Sequence, residues 1–463
     1  MSNFDKTIFA LSSAWGRAGV SVFRVSGSKS QQVLKKLCKI DSPKPRHSYY
    51  KKIFDKKNNI IDQGIITFFK SPLSYTGEDI LEISIHGSIA VVKKLLHTLK
   101  DIKHLRPAEP GEFSKRAFIN KKVNLLKIEG IGNLINSETE EQRKISILQI
   151  SGDSENTCNI WKNKLLEIAA LIDAQIEFSE EDESIVRSNI KKKIDILQRE
   201  MKKELKNSLR TEQIVNGLEI LIFGPPNAGK SSLFNLINKE KKSITSEQPG
   251  TTRDQVNSSI DFMGYKVDLV DSAGIRMTKN IIENMGVEKT KEKMTKTDHL
   301  ILVVSPDSLN SSNVKMISRT LNDLDKKKII VFYNKIDLPE ANLQKKLWEK
   351  NVKKIKKYPS ATISCEDIEN KHNSYEKAVK LITKHLIETN HQNFNYSVFS
   401  ELRQIEHLKK ALRFLEAAYN VSSEIDLLSE EIRLSIKEIE NITGNIDYED
   451  KLGIIFSNFC IGK

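Results

Sequence analysis

The pattern of hydrophobic and polar positions changes at three places along the chain. Up to about residue 120, short apolar runs such as GIITFFK and DILEISIHG alternate with turn residues, which predicts strands, short helices and an α+β domain over residues 1–120. From 121 to 215, glycine and proline are scarce, and the spacing of apolar residues predicts long helices. Apolar side chains recur there at Leu165, Ile168, Ile172 and Ile176.

A second helical pattern spans residues 385–463, and a strand–loop–helix pattern spans residues 216–384 between the two. The second helical stripe comprises Leu402, Ile405, Leu408, Leu412, Leu415 and Tyr419. The economical interpretation is one helical domain interrupted by an inserted α/β domain, although two unrelated helical domains would give the same pattern. The predicted fold is therefore multi-domain, with α+β and α/β parts.

Composition adds a charge imbalance and excludes several classes of protein. Among 463 residues, 74 are Lys or Arg and 61 are Asp or Glu. The formal charge of +13 favours a polyanionic partner such as a nucleic acid, unless it only reflects lysines spread over the surface. Four cysteines without a CxxC pair argue against a disulfide scaffold and a four-cysteine zinc site. The apolar runs are far shorter than the roughly 20 residues of a membrane span, and the N-terminus does not resemble a secretion signal. We expect a cytoplasmic protein that does not enter a membrane.

The inserted block carries a phosphate-binding motif. The apolar run Leu218–Phe223 leads directly into Gly224-Pro-Pro-Asn-Ala-Gly-Lys-Ser231 and then into a helical pattern, which is the strand-to-helix context of a G-x-x-x-x-G-K-S loop. The backbone N–H groups of such a loop and the following helix N-terminus bind phosphates. We expect Lys230 to reach the β- and γ-phosphates, and the hydroxyl of Ser231 to bind Mg²⁺.

Three further motifs follow in the order of a nucleotide-binding domain. Thr252, in the sequence GTTRD, could close over the γ-phosphate and bind Mg²⁺, and Asp271, in the sequence DSAG, could hold the metal through water. In Asn334-Lys-Ile-Asp337, the Asp337 carboxylate can accept hydrogen bonds from N1–H and the 2-amino group of guanine, whereas adenine offers neither donor. These motifs predict a GTP-hydrolysing P-loop (Ras-like) G domain.

The catalytic water has no obvious partner in the sequence. Ras-type GTPases use a glutamine directly after D-x-x-G, whereas this chain has Ile275 at that position. Asn227 could bind a monovalent cation that bridges the phosphates, or it could simply be an asparagine tolerated at a tight turn. Glu283 and Glu288 are both candidates to orient water, and the pattern alone does not choose between them.

The motifs together resemble one family. G-x-P-N-A-G-K-S-S, G-T-T-R-D and D-S-A-G-I-R are similar to motifs of the tRNA modification GTPase family MnmE, also called TrmE. The similarity extends to the opening DKTIFALSSAWGRAGVSVFRVSG, to SYTGED with His86-Gly87, to Arg106–Phe118 and to the terminal FCIGK. The resemblance implies an N-terminal folate-binding and dimerisation domain (1–120), a helical domain in two parts (121–215 and 385–463, ending in the FCIGK tail) and an inserted G domain (216–384).

The resemblance implies a K⁺-dependent GTPase that, with a flavoprotein partner, adds a carboxymethylaminomethyl group to C5 of the wobble uridine (U34) of certain tRNAs. The implied cofactors are Mg²⁺, K⁺ and 5-formyltetrahydrofolate or a related folate, with GTP as substrate. The implied partners are tRNA, a second copy in a homodimer, and an FAD-dependent tRNA modification protein in a heterotetramer. The alternative is a GTP-regulated ribosome-maturation or RNA-binding switch without modification chemistry.

The resemblance also assigns individual residues. It makes Glu283, before an x-x-Gly, the residue that orients water, and Lys230 is the other expected catalytic residue. The implied K⁺ ligands are Asn227, Ser246, Gln248 and Thr251, and the implied folate-binding residues are Arg24, Glu82, Lys122 and Lys463. Cys460 is implied to matter for modification, although a cysteine in this position is often only an apolar filler. The expected GTP-binding residues are Asn227, Ala228, Gly229, Lys230, Ser231, Ser232, Ser246, Glu247, Gln248, Pro249, Gly250, Thr251, Thr252, Asp271, Ser272, Ala273, Gly274, Asn334, Lys335, Asp337, Ser364, Cys365 and Glu366.

Overall fold

Two compact units make up the chain. One unit comprises residues 1–132 with 439–463, and the other comprises residues 133–438. The computed structural model describes residues 6–177, 183–240, 257–262, 264–271, 294, 297, 299–324, 328–339, 341–366, 371–390, 396–421, 424–444 and 462. Within these residues, no helix combines the length and the apolar character that crossing a membrane requires.

The first unit is built on a six-stranded sheet in the order β3-β4-β5-β2-β1-β6, antiparallel except for the parallel pair β1 and β6. Its strands are β1 (Thr7–Leu11), β2 (Ala18–Ser26), β3 (Ser48–Phe54), β4 (Ile60–Phe69), β5 (Ile80–Gly87) and β6 (Leu105–Pro107). Its helices are α1 (Ser30–Cys38), α2 (Ile89–Lys100) and α3 (Glu112–Ile119), and α4 (Leu125–Asn136) contains the boundary with the second unit.

Alternation along the central strands of this sheet separates a core face from a polar face. Phe23 and Val25 of β2 are buried in the core that α1 and α2 cover. Arg24, between them, points to the other face, where it lies opposite Glu82 of β5. The pleat of the strands therefore brings together two residues that are far apart in the sequence.

A buried ion-pair network fixes α3 in the first unit. The side chain of Glu112 is only 4% exposed, and its carboxylate accepts hydrogen bonds from Arg106 (2.6 and 2.7 Å), from Arg116 (2.9 Å) and from the backbone N–H of Glu109 (3.0 Å). Arg116 is equally buried and also donates to the carboxylate of Glu78 at 3.0 Å. Charges removed from water in this way are stable only while every partner is present.

The second unit begins with three helices, α5 (Glu140–Ser151), α6 (Asp153–Glu177) and α7 (Glu183–Asn216). They lead into a sheet in the order β12-β11-β10-β7-β9-β8, in which only β8 is antiparallel to its neighbour. Its strands are β7 (Leu218–Phe223), β8 (Asn257–Phe262), β9 (Tyr265–Asp271), β10 (His299–Val304), β11 (Lys328–Tyr333) and β12 (Ser360–Thr362).

Helices cover both faces of this second sheet. They are α8 (Lys230–Glu240), α9 (Ser311–Asp323), α10 (Ala341–Asn351) and α11 (Lys371–Asn390), with short 3₁₀ helices at Pro306–Ser308 and Lys353–Lys357. Helices α8 and α11 share one core with the sheet, and α9 and α10 share the other. The nearly continuous apolar strands are explained by this burial on both faces.

Two later helices, α12 (Leu402–Asn420) and α13 (Ile425–Thr443), complete the helical part, and α13 contains the second boundary between the units. The residues of the two apolar stripes lie in helices, as predicted, and most of them are buried. Ile176 and Leu402, in the terminal turns of their helices, are 50% and 62% exposed. Gln198 of α7 donates a hydrogen bond to the carbonyl oxygen of Leu415 at 2.9 Å, which joins α7 to α12.

The prediction of a multi-domain α+β and α/β fold is confirmed by these two sheets and their helices. The three predicted boundaries between the four segments, after residues 120, 215 and 384, stay predictions. Helix α11 continues to residue 390, past the boundary predicted at 384. Leu386 of this helix is buried in the core that α8 and α11 share with the second sheet.

We expect Glu112→Gln to loosen α3 in a pH-dependent way. Burial favours the neutral acid, but hydrogen bonds from Arg106, Glu109 and Arg116 outweigh burial and lower the pKa of Glu112. A lowered pKa means that ionised Glu112 stabilises the fold above about pH 4.3, and that this contribution disappears as the pH falls through the lowered value. Removing the charge should reduce the free energy of local unfolding by about 3–5 kcal/mol.

Hydrogen exchange of the amides in residues 105–120 measures this effect, after correction for intrinsic exchange rates. Asp101→Asn, which breaks the exposed pair of Asp101 with Lys56, is the control in the same unit and should leave this protection unchanged. Equal protection in Glu112→Gln and the unsubstituted protein would contradict a structural role for the network.

Candidate functional site

The parallel strands of the second unit place three chemically distinctive segments at one edge of the sheet. The loop 224–229 follows β7, Asp271 is the last residue of β9, and Asn334 follows β11. Because β7 pairs in parallel with both β9 and β10, and β10 with β11, the carboxyl ends of these strands lie side by side. Ligands of open α/β sheets bind at this edge.

The phosphate loop has a backbone that few residues can adopt. Gly229 has φ +87° and Asn227 has φ +59°, both in the left-handed region. Gly224 leaves no room for a side chain, because a Cβ there would lie 2.1 Å from the carbonyl oxygen of Val303. Asparagine tolerates the left-handed region better than most residues, so the backbone alone gives Asn227 a reason to be there. The turn and cation interpretations of Asn227 are therefore compatible.

Lys230 begins α8 and is already turned towards the loop. The residue is only 9% exposed, and its Nζ donates a hydrogen bond to the carbonyl oxygen of Pro225 at 2.9 Å. Ser231 is exposed in the first turn of the same helix. The helix N-terminus, the ammonium group and the hydroxyl thus belong to one short segment that suits a phosphate group.

Asn334 connects three separate loops through one buried side chain. Its backbone N–H donates to Val304 at 2.8 Å, its Nδ2 donates to the carbonyl oxygen of Ala228 at 3.1 Å, and its Oδ1 accepts from the N–H of Cys365 at 3.3 Å. A Cβ on Gly229 would lie 2.0 Å from the same Nδ2. The phosphate loop and the predicted guanine-binding loop are therefore packed directly against each other.

Ser364 and Glu366 support the same site through their side chains. The hydroxyl of Ser364 donates a short hydrogen bond to Oδ1 of Asp337, and Ser232 of α8 donates to Glu366 at 3.1 Å. Lys335 pairs with Asp307 at 2.7 Å. These hydrogen bonds place Ser364 and Cys365 beside the Asn334–Asp337 loop and Glu366 beside α8.

Part of the predicted site lies outside the described residues. The backbone of Asp271, at the end of β9, is described, but its side chain is not. The other predicted residues outside are Ser246, Glu247, Gln248, Pro249, Gly250, Thr251, Thr252, Ser272, Ala273, Gly274, Glu283, Cys460 and Lys463. In the part of the chain that the structure describes, no three His, Cys, Asp or Glu side chains form a cluster that could hold a metal ion.

The turn between β8 and β9 is attached to α5. The carbonyl oxygen of Gly264 accepts from the N–H of Glu141 at 3.3 Å, and Lys266 pairs with Glu138 at 2.7 Å. Glu141 also accepts a short hydrogen bond from the hydroxyl of Tyr396. Burial, helped by the Glu141 carboxylate, raises the pKa of Tyr265 to about 12. The hairpin between the GTTRD and DSAG segments is thus bound to the helical part.

In the first unit, two of the predicted folate residues, Arg24 and Glu82, form a cluster, and a third, Lys122, lies against Gly77. Nε and Nη2 of Arg24 donate to Oε1 of Glu82 at 2.9 and 2.7 Å, and no described residue donates to Oε2 of Glu82. Lys122 is exposed, and its aliphatic chain lies against Gly77, where a Cβ would be 3.2 Å from its Cε. Gly462 also lies beside Arg24, because its carbonyl oxygen is 3.5 Å from Nη1 of that residue.

Sequence reasoning missed the residues that hold this cluster in place. The guanidinium of Arg24 lies 5.8 Å from the ring centre of Tyr75 and 5.9 Å from that of Phe113. The hydroxyl of Tyr75 shares a hydrogen bond of 2.9 Å with Ser114 of α3. Tyr75 lies in the SYTGED motif and Phe113 in Arg106–Phe118. Their aromatic side chains could have indicated that they contact a cation such as Arg24.

Two family profiles match the chain. The family described as "GTP-binding protein TrmE N-terminus" matches residues 7–122, and the family described as "MnmE helical domain" matches residues 125–460. Together they cover both the N-terminal unit and the helical part with its inserted sheet.

Similar proteins are found over the full length of the chain. A Rickettsia bellii protein described as tRNA modification GTPase MnmE is 38% identical over 471 residues, which covers 99% of this chain and 100% of that protein. Proteins of the same description from Rickettsia prowazekii and Ehrlichia chaffeensis are 38% and 36% identical, with the same coverage. Among solved structures, the G domain of the T. maritima FeoB iron transporter aligns with 37% of this chain and 97% of its own chain, at 21% identity and a TM-score of 0.24.

We expect Asn334→Ala to weaken binding of both GTP and GDP. The substitution removes two side-chain hydrogen bonds and leaves the buried Ala228 carbonyl and Cys365 N–H groups without their partner. A cost of about 2–3 kcal/mol corresponds to an affinity loss of roughly 30- to 150-fold. Titration with a fluorescent guanine nucleotide measures it. Asn342→Ala, at an exposed position on α10, is the control, and unchanged affinity in Asn334→Ala would refute the linking role.

Proposed function

Because the chain belongs to the MnmE family of tRNA modification GTPases, we propose that it hydrolyses GTP to drive modification of the wobble uridine (U34) of tRNA. In the proposed reaction, the protein acts with an FAD-dependent partner in a heterotetramer. The two proteins add a carboxymethylaminomethyl group to C5 of U34. The observation that carries the GTPase assignment is the single side chain, Asn334, that joins the phosphate loop to the guanine-reading loop. The ribosome-maturation alternative is not retained, because the full-length relatives are tRNA modification GTPases.

The bound nucleotide would be held at both ends. Asp337, oriented by the Ser364 hydroxyl, accepts from the N1–H and 2-amino groups of guanine. The N–H groups of the phosphate loop face the phosphates, and Lys230 exchanges the Pro225 carbonyl for phosphate oxygens. Because the lysine is already buried in the loop, binding exchanges one hydrogen-bond acceptor for a charged one and requires no large movement.

The donor set of the loop suits Mg²⁺. Ser231 and Thr252 offer hydroxyl oxygens, and Asp271 a carboxylate, which are the hard ligands that this ion prefers. When bound, Mg²⁺ would neutralise charge on the β- and γ-phosphates. Glu283 would accept a hydrogen bond from the attacking water and orient it towards the γ-phosphate.

Asn227 also suits a monovalent cation. Its amide is exposed at the tip of the phosphate loop, and together with Ser246, Gln248 and Thr251 it would provide neutral oxygen ligands for K⁺. When bound, K⁺ would supply the positive charge for which Ras-type enzymes use an arginine. A homodimer in which two G domains face each other would close this site, since the loop tip is otherwise open to water.

We expect K⁺ to raise kcat for GTP hydrolysis by about tenfold or more over Na⁺ at equal ionic strength. Asn227→Gly should abolish the difference while leaving GDP affinity nearly unchanged, because glycine adopts the same left-handed backbone without an amide oxygen. Steady-state phosphate release in the two salts checks both statements. If Asn227→Gly still responds to K⁺, the residue serves only the turn.

The N-terminal cluster suits a folate. The free Oε2 of Glu82 can accept hydrogen bonds from the donors of a pterin ring, while Arg24, Lys122 and the terminal Lys463 can bind its carboxylates. A folate bound there would supply a one-carbon unit for the modification. The side chains of Arg24 and Glu82 remain 20% and 29% exposed, so a ligand can reach both.

The C-terminal tail reaches this cluster through Gly462. The carbonyl oxygen of Gly462 accepts from Ser12 at 3.1 Å, and the backbone has φ +101°. A Cβ there would lie 2.6 Å from the carbonyl oxygen of Leu11, so only glycine fits. Since Cys460 lies two residues before Gly462, the tail would bring its thiol close to the folate.

We expect Gly462→Ala to displace the tail and to separate the two activities. Modification of U34 should fall on the order of 100-fold, as for a reacting group misplaced by about 1 Å, whereas GTP hydrolysis should persist. Nucleoside mass spectrometry of tRNA, treated with the protein and its flavoprotein partner, measures the first, and phosphate release measures the second. Deleting residues 459–463 should have the same effect, and full modification by either variant would refute a role for the tail.

A further inference from the structure

Five exposed lysines lie close together in sequence on two consecutive helices of the second unit. Lys346 and Lys350 lie on α10, and Lys353, Lys356 and Lys357 lie on the 3₁₀ helix that follows. All five are exposed. We call these five residues the lysine surface.

The lysine surface stands on a rigid base. Trp348, Val352 and Ile355 alternate with the lysines in the sequence and are at most 2% exposed. The indole N–H of Trp348 donates to the carbonyl oxygen of Ser305 at 3.1 Å. The backbone that carries the lysines is therefore fixed to the second core of the sheet, and only the long side chains are free to move.

The lysine surface differs from the other lysine-rich parts of the chain in its ion pairs. In the helical part, Lys164 pairs with Glu200 at 2.6 Å, and Lys193 and Lys202 pair with glutamates at 3.2 and 2.8 Å. In contrast, no member of the lysine surface forms an ion pair with any acidic residue that the structure describes.

Few acidic residues lie on the elements that carry or contact this surface, among those the structure describes. Glu349 is the one acidic residue in 341–357. Its carboxylate accepts a hydrogen bond from the Tyr333 hydroxyl at 3.3 Å and lies 4.0 Å from Nζ of Lys345. Asp307, in the 3₁₀ helix that packs against α10, is paired with Lys335. The exposed charged residues of α9, on the same face of the sheet, are Lys315, Arg319 and Asp323, so positive charge is in excess there as well.

We propose that the lysine surface binds the sugar–phosphate backbone of the tRNA substrate. Lysines offer mobile point charges that suit phosphates without reading bases. The single aromatic residue of 341–357, Trp348, is buried, so stacking on unpaired bases is not available there. Helix α10 lies on the face of the sheet opposite α8, so tRNA bound here leaves the phosphate loop accessible. The inference rests on the proposed function, since it takes tRNA as the substrate.

The test compares tRNA binding by two triple variants of the full-length protein. Lys350→Gln, Lys353→Gln and Lys357→Gln together remove three unpaired charges, and Lys164→Gln, Lys193→Gln and Lys202→Gln together remove three paired ones. Filter binding of unmodified tRNA over a range of KCl concentrations gives the affinity and its salt dependence. We expect the first variant to bind roughly 10- to 100-fold more weakly, with a log–log salt slope smaller by about 2–3, and the second to change affinity by less than about threefold.

Two controls separate the loss of positive charge from the loss of folding. Lys→Arg at the same three positions should retain tRNA binding, and unchanged GDP affinity shows that the G domain of each variant is folded. Equal binding by the Gln variant and the unsubstituted protein would overturn the lysine surface alone, whereas no tRNA binding by the unsubstituted protein would overturn the proposed function as well. If the Gln variant instead loses binding to phosphatidylserine vesicles and keeps tRNA, the surface binds lipid and the proposal is wrong.

Discussion

The buried amide of Asn334 is the constraint on which the nucleotide site depends. An amide has a donor and an acceptor on opposite sides, and here both are used, by Ala228 of the phosphate loop and by Cys365 of the loop after β12. Gly229 must lack a side chain because the same amide occupies the space. The predicted phosphate-binding loop and the predicted guanine-binding loop are thus parts of one packed unit.

Much of this site could be predicted from sequence because its chemistry lies in short segments. Each motif follows an apolar strand, and parallel pairing then brings the strand ends together. The linking role of Asn334 could not be predicted in this way, because it depends on three loops that meet only in the folded sheet. Cys365 belongs to no recognisable motif, because it contributes its backbone N–H to Asn334 and any side chain of suitable size would serve there.

The N-terminal unit shows the opposite case, in which the sequence hides the packing. Glu112 and Arg116 lie in a segment rich in charged residues and prolines that reads as exposed, yet both side chains are nearly inaccessible to water. Composition cannot reveal such burial because it depends on Arg106 and Glu78 arriving from other elements. The opposite occurs at Ile176 and Leu402, where the apolar period continues into helix ends but the side chains are 50% and 62% exposed.

The hairpin of β8 and β9 gives the G domain a fixed connection to the helical part. Its two strands continue at one end into the GTTRD and DSAG segments, and its turn at the other end is held by Glu138 and Glu141. Strands transmit displacement along their length because a shift of one residue would reverse every side chain. The Lys266–Glu138 pair adds little to this connection, because its side chains are 22% and 38% exposed. The connection therefore rests mainly on Glu141, whose backbone N–H donates to Gly264 and whose carboxylate accepts from the hydroxyl of Tyr396.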